Sequence, residues 1–149
     1  AAVHNPNLIT DIAKRFGTQA ISVAIDICLN QCGEYFIATE FGRNLHDKDI
    51  NEWIEEIQER GAGEIIITSI QKDGTLIGLD LDFFEKLYKK ISVPLIIGGG
   101  FGKVNQLSDL FNLTFIDGVI VGAAFHQNEL LVKDCKDYIF KNGYETRKI

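Results

Sequence analysis

Apolar residues recur along this chain in two alternating rhythms, short β-branched runs and longer stretches at helical spacing, and that alternation predicts its elements. Asn5 and Pro6 offer a helix opening, because Asn caps free N–H groups and Pro at the first helical position gives up nothing. Leu8, Ile9, Ile12, Ala13 and Phe16 then share one face, and Gly17 is the stop. Gln19 to Asp26 reads as a buried strand ending in a carboxylate. Residues 27–47 are irregular, with Gly33 and Gly42 as turn signals and an extended piece near Tyr35 to Thr39, which predicts a long loop carrying a hairpin. A helix follows, capped by Asp47 or Asp49, with Ile50, Trp53, Ile54 and Ile57 on its apolar face and Gly61 at its close.

The rhythm then repeats. Glu64 to Ile70 is a strand, and a helix carries Leu81, Phe84, Leu87 and Tyr88 inward. Pro94 to Ile97 is a strand running into Gly98-Gly99-Gly100, before a helix with Val104, Leu107, Leu110 and Phe111. Gly118 to Val121 is a strand entering Gly122-Ala123-Ala124, and a last helix carries Leu130, Leu131, Cys135 and Ile139. Strands apolar along nearly their whole length, each followed by an amphipathic helix, predict parallel strands covered by helices. Polar or small residues gather at the strands' C-terminal ends, and a helix leads the chain without a strand of its own; both favour a barrel over a small open sheet. A complete (β/α)8 barrel takes about 250 residues. The expectation is therefore an α/β fold of TIM-barrel type, present as one half-barrel domain over residues 1–149.

Charge and composition narrow the partners. A net charge of -6 argues against a large phosphate-backbone footprint, so nucleic acid is not expected. No apolar run is long enough for a bilayer and no basic leader precedes one, so the reading is cytoplasmic, without a membrane partner. Cys28 and Cys32 have C-x3-C spacing, but Cys135 is distant and no His lies near; unpaired thiols are expected, with no metal and no cofactor. Met is absent even at position 1, which suggests a chain processed or cut from something longer.

In a β/α barrel the active site lies at the C-terminal ends of the strands, and phosphate commonly sits between the last two such loops. Gly98-Gly99-Gly100-Phe101-Gly102 and Gly122-Ala123-Ala124 occupy those places, each just before a helix. Glycines let main-chain N–H groups approach an anion, and the helix dipole favours it; a phosphorylated small molecule is the expected ligand. Asp26 would point to the barrel mouth, as a functional carboxylate or as a cap or ion-pair partner. Asp73-Gly74 is a turn that could also serve the site, and of Thr68 and Ser69 one faces the interior. Glu64 starts its strand at the opposite end. His126, just beyond the second glycine turn, could be a general acid or a helix-start histidine near solvent, and His46 and Lys103 read as surface residues.

Several stretches together resemble the cyclase subunit of imidazole glycerol phosphate synthase, the HisF family. They are Asn5-Pro6-x-Leu8-Ile9-x-x-Ile12-Ala13-Lys14-Arg15-Phe16-Gly17, Val23-Ala24-Ile25-Asp26, and Arg60-Gly61-Ala62-Gly63-Glu64-Ile65 through Thr68-Ser69-Ile70-x-x-Asp73-Gly74-Thr75, then Gly99-Gly100-x-Gly102-Lys103 and Phe125-His126. The resemblance implies strands 5 to 8 of that barrel, its C-terminal half. It implies an enzyme of histidine biosynthesis, a lyase that closes an imidazole ring on a phosphoribulosyl aminoimidazole carboxamide nucleotide with ammonia from a glutamine amidotransferase subunit. Two aspartates act there as general acid and base, and Asp26 matches the second. Gly74, Gly98, Gly100, Gly122 and Ala123 match the phosphate site, Asp73 a loop acid, and Glu64 one member of a charged ring at the ammonia entrance.

Departures point toward a paralogue that serves a sugar amidotransferase system in surface-polysaccharide synthesis. Phe41-Gly42-Arg43-Asn44 stands where the family has a Ser-Gly-Lys-Lys type loop, Gln71 replaces an Asp, and Gly98 and Ala123 each stand where a Ser is common. The approach Phe111-Asn112-Leu113-Thr114 is also closer to that branch. A reading from another class is a non-catalytic, phosphate-binding half-barrel that self-associates, or pairs with an N-terminal half, through sheet edges and an open apolar interior.

Overall fold

In the computed structural model, which describes residues 1–113 and 115–145, the strands form one six-stranded sheet in the order β3-β2-β1-β4-β5-β6. The strands are β1 (Ser22–Leu29), β2 (Tyr35–Thr39), β3 (Asn44–His46), β4 (Glu64–Ser69), β5 (Leu95–Gly98) and β6 (Gly118–Ile120). The helices are α1 (Asn7–Phe16), α2 (Ile50–Glu59), α3 (Leu81–Tyr88), α4 (Gln106–Phe111), α5 (Ala123–His126) and α6 (Val132–Lys141). Strands β1, β4, β5 and β6 pair in parallel, each to the next, while β2 and β3 add an antiparallel hairpin beside β1. The expected α/β architecture of successive βα units is present. Among the described residues no helix is long and apolar enough to cross a membrane.

Strand residues alternate between two faces. Val23, Ile25, Ile27, Ile65, Ile67, Leu95 and Ile97 are buried with Trp53, Ile54 and Ile57 of α2 and Phe84 and Leu87 of α3 in the main core. A fully buried Ile or Leu contributes about 1.5–3 kcal/mol, so this β-branched face dominates the folding energy. A smaller cluster gathers Phe101, Leu107, Ala124, Leu130 and Cys135 around the last two βα units. The opposite face carries Ser22, Ala24 and Asp26, then Glu64, Ile66 and Thr68, then Ile96, Gly98 and Ile120. It is incompletely covered: Ser22 and Ala24 are exposed, Ile66 and Ile96 half-buried, and Ile120 is 43% exposed. Its apolar members are Ala24, Ile66, Ile96 and Ile120.

Local chemistry explains where elements depart from the sequence pattern. Asn5 does not cap α1: its N–H donates to Ala1 O, Pro6 takes the cap position, and no side chain serves as a cap. Leu8 and Phe16 lie largely outside the core that buries Ile9. Gln19 and Ala20 belong to a 3-10 turn rather than to β1, seated so closely on Gly63 that a Cβ there would be 2.1 Å from Thr18 O. β1 also continues past Asp26, because Asp26 to Leu29 pair with β2; the hairpin thereby covers half of an edge expected to be open. Tyr88 is 39% exposed, stacked on Phe115 instead of buried. Val104 precedes α4, and α6 begins only at Val132, after the additional short helix α5. Thr114 and the side chain of Phe111 lie outside the described residues.

One expected cap is realised at α2, where Asp49 Oδ1 accepts from Asn51 N at 2.8 Å and Glu52 N at 3.0 Å. The Glu52 amide is the largest influence holding this carboxyl below its ordinary range. Asp49→Ala is expected to cost about 1 kcal/mol at neutral pH in urea unfolding. A folded-state pKa below the unfolded one means that the contribution is complete above about pH 4 and fades as pH falls further, so the two proteins converge in acid.

Candidate active site

Parallel register puts Asp26, Thr68, Gly98 and Ile120 side by side across β1, β4, β5 and β6, near the C-terminal rim of the uncovered face. Immediately above this row lies a cleft of about 100 Å³ lined by Thr68, Asp73, Gly74, Gly99, Gly100, Phe101, Ile120, Gly122 and Ala123. Two glycine turns from successive βα units, together with the loop after β4, therefore share one cavity. Asp73 is the only formally charged residue in that lining. The lining therefore offers main-chain groups and the Thr68 hydroxyl, and no cationic side chain.

Why glycine occupies the first turn is steric. Gly99 has φ +95°, and a Cβ there would sit 2.3 Å from Ser69 O, so the turn can pass β4 only without a side chain. The turn is fastened to the neighbouring loop by Gly78 N donating to Gly100 O at 2.8 Å. Gly122 differs: a Cβ there would meet nothing within 4 Å, so this turn has room for a side chain.

Asp26 does not line the cleft but stands beside Thr68 in the row beneath it. Partial burial, and then the negative charge of Asp73, raise its carboxyl above the ordinary carboxylate range. A carboxyl so placed keeps its proton to higher pH and can deliver or recover one at the rim. Gly98 is also just outside the cleft; its absent side chain would press on Ile120 Cβ at 3.2 Å and Thr68 Oγ1 at 3.4 Å. Glu64 is at the far end of β4, about 13 Å away at a strand's rise per residue, where its Oε1 accepts from Ser22 Oγ at 2.6 Å.

Phe101 and Ile120 line the cleft without having been singled out from the sequence. Ile120 was recoverable from alternation along β6, whereas Phe101 hid inside a glycine-rich run. Ser69 faces the helices and is buried. Lys103 is exposed, as expected of a surface residue; His126 is exposed too, at the end of α5 rather than at a helix start, and does not line the cleft. His46 is not simply at the surface: it is half-buried, its Nε2 is 2.9 Å from Thr39 Oγ1, and its ring meets the edge of His4. Cys28, Cys32 and Cys135 are free thiols.

Comparison with known proteins bears on what this cleft belongs to. The family model described as "Histidine biosynthesis protein" matches residues 1–131. The chain belongs to that family. It is 35% identical over 147 residues to the imidazole glycerol phosphate synthase subunit HisF of Saccharolobus solfataricus, a match covering 99% of this chain and 58% of that protein. The HisF subunit of Thermotoga sp. is 38% identical over 147 residues, covering 99% and 57%. That of Pelodictyon phaeoclathratiforme is 38% identical over 148 residues, covering 99% and 58%. The family member described here thus spans a little over half the length of these curated relatives.

Two substitutions separate the glycine turns. Gly99→Ala is expected to destabilise by more than about 2 kcal/mol, since neither φ nor space permits a side chain, while Gly122→Ala stays within about 0.5 kcal/mol; thermal unfolding distinguishes them. Asp26→Asn is expected to stabilise the protein at neutral pH by up to about 1 kcal/mol, a modest gain because the carboxyl keeps solvent access. The sign follows from a folded pKa above the unfolded one: ionisation costs stability above the folded pKa, so the advantage of Asn disappears as pH falls below it.

Proposed function

We propose that this chain is the C-terminal half of a HisF-type cyclase barrel, strands 5 to 8, and that residues 1–149 act as a single half-barrel domain. In this reading the parent enzyme closes an imidazole ring on a phosphoribulosyl aminoimidazole carboxamide nucleotide in the cytoplasm. The observation that carries it is the single cleft shared by Thr68, Asp73, Gly74, Gly99, Gly100, Gly122 and Ala123, with Asp26 in the row directly below. The substrate phosphate is held by main-chain N–H groups of the two glycine turns and by the Thr68 hydroxyl, and Gly98 keeps the floor low enough for it to enter. Fixing the phosphate orients the remainder of the ligand over Asp26.

Asp26 then serves as one of two carboxyl groups that exchange protons as the ring closes, its raised pKa suiting it to carry the proton. The other carboxylate is supplied by an N-terminal half packed on the uncovered face. Ammonia from a glutamine amidotransferase subunit enters at the Glu64 end and travels between the halves, past Ala24, Ile66 and Ile96, to Asp26. An aliphatic lining, with Ile66 and Ile96 half-buried, suits a neutral molecule and disfavours ammonium. Until a partner half is present, Ile66, Ile96 and Ile120 favour self-association across the same face.

A second reading, an ammonia-channelling barrel of a sugar amidotransferase system, draws on the rim. Phe41 is 93% exposed on a turn where Glu40, Phe41 and Gly42 all have positive φ. A bulky aromatic ring at such a turn suits an acceptor different from that of a basic, flexible loop. An assay with ammonia and each acceptor on the full-length enzyme separates the two readings. Asp26→Asn is expected to lower turnover at least about 100-fold with phosphate affinity unchanged. Undiminished turnover in that variant removes Asp26 from the chemistry. Sedimentation of this chain is expected to show a dimer or larger; a stable monomer that ignores phosphate counts against the half-barrel reading altogether.

A further inference from the structure

One polar cluster beside the cleft is not used by the chemistry above. Asp80 stands at the N-cap position of α3. Its Oδ2 accepts the Tyr35 hydroxyl from β2 and faces Lys72 Nζ at 3.5 Å. Burial alone would lift the Asp80 acid; the Tyr35 hydrogen bond, the Lys72 charge and the Phe83 backbone N–H together outweigh it and hold the carboxyl below its ordinary range. Burial, followed by the Asp80 contact, pushes the Tyr35 hydroxyl up, so it remains a donor. The Tyr35 ring also lies 4.0 Å from that of Phe83 on α3.

What these residues join gives the cluster its meaning. Lys72 and Asp80 bracket the segment that contributes Asp73 and Gly74 to the cleft, so their ion pair closes that segment into a loop. The stem of Lys72 lies against the first glycine turn, 3.1 Å from where a Gly100 Cβ would be, and Gly78 N reaches Gly100 O at 2.8 Å. On the other side Tyr35 ties the loop to the hairpin. Gln71 adds a two-point clamp, its Oε1 accepting from Leu29 N and its Nε2 donating to Leu29 O, both at 2.7 Å.

We propose that Asp80 is a positioning residue for the anion cleft: by holding the Tyr35 hydroxyl and the Lys72 ammonium together, it fixes the β4–α3 loop so that Asp73 and Gly74 stay at the rim opposite the glycine turns. The inference takes its ligand from the phosphate reading, but the restraint on the loop is measurable without any ligand. A loop freed of this tie must be ordered when the anion binds, and that cost appears as lost affinity.

The test uses the full chain, with inorganic phosphate titrated by amide NMR and hydrogen exchange followed at Gly78. Asp80→Ala is expected to weaken phosphate binding about tenfold and to speed Gly78 exchange while amides of β1 keep their protection. Tyr35→Phe keeps the ring on Phe83 and removes only the hydroxyl; it is expected to weaken binding about threefold, and it decides the matter if Asp80→Ala does not fold. Asp80→Glu should recover part of both effects, and Lys133→Ala, which breaks an exposed ion pair on α6, should change neither. Wild-type exchange at Gly78 together with wild-type affinity in folded Asp80→Ala or Tyr35→Phe overturns the proposal. A wild-type chain that does not bind phosphate overturns the cleft's assignment instead, and Gly78 exchange alone then decides whether Asp80 restrains the loop.

Discussion

Parallel pairing at one register aligns Asp26, Thr68, Gly98 and Ile120, and everything at the rim depends on that alignment. A shift of one residue in β5 would send Gly98 toward the helices and put Ile97 in the row, closing the floor of the cleft. The register is secured from the opposite face, where Val23, Ile25, Ile27, Ile65, Ile67, Leu95 and Ile97 would all have to leave the core for the strands to slip. Packing on the helix side thus determines the geometry of polar groups on the other.

Much of this was legible because it rests on periodicity and short-range chemistry. The helix with Trp53 and its Asp49 cap, the strand from Glu64, and the two glycine turns all carry their signals within a few residues. What escaped the sequence depends on distant partners. Nothing local to Asn5 shows that its N–H is taken by Ala1 O, or that Asp26 lies mid-strand because Ala38 pairs opposite it. Gln71 reads as an unremarkable loop residue until Leu29 appears as the backbone it clasps. Of the candidate site residues, those of the glycine turns, Thr68 and the Asp73-Gly74 loop share one cavity, while Gly98 and Asp26 stand next to it and Glu64 stands apart.

The rim also concentrates conformations and charges that do not favour stability. Asp26 and Asp73 repel one another, and Glu40, Phe41 and Leu76 hold positive φ without being glycine. At Glu40 and Phe41 the positive φ belongs to the tight turn that joins β2 to β3, closed by Gly42 N donating to Thr39 O. The core beneath, rich in β-branched strand residues and closed by α2 and α3, is what tolerates these features.

The hairpin against β1 carries a consequence for any strand that joins the sheet. Because β2 occupies the flank of Asp26 to Leu29, a strand arriving beside β1 can pair along Ser22 to Ile25 but not beyond. A newcomer sliding toward the rim runs into Thr39 and the turn beyond it. The hairpin is therefore a mechanical stop: it limits mispairing and sets the height at which a neighbour can register.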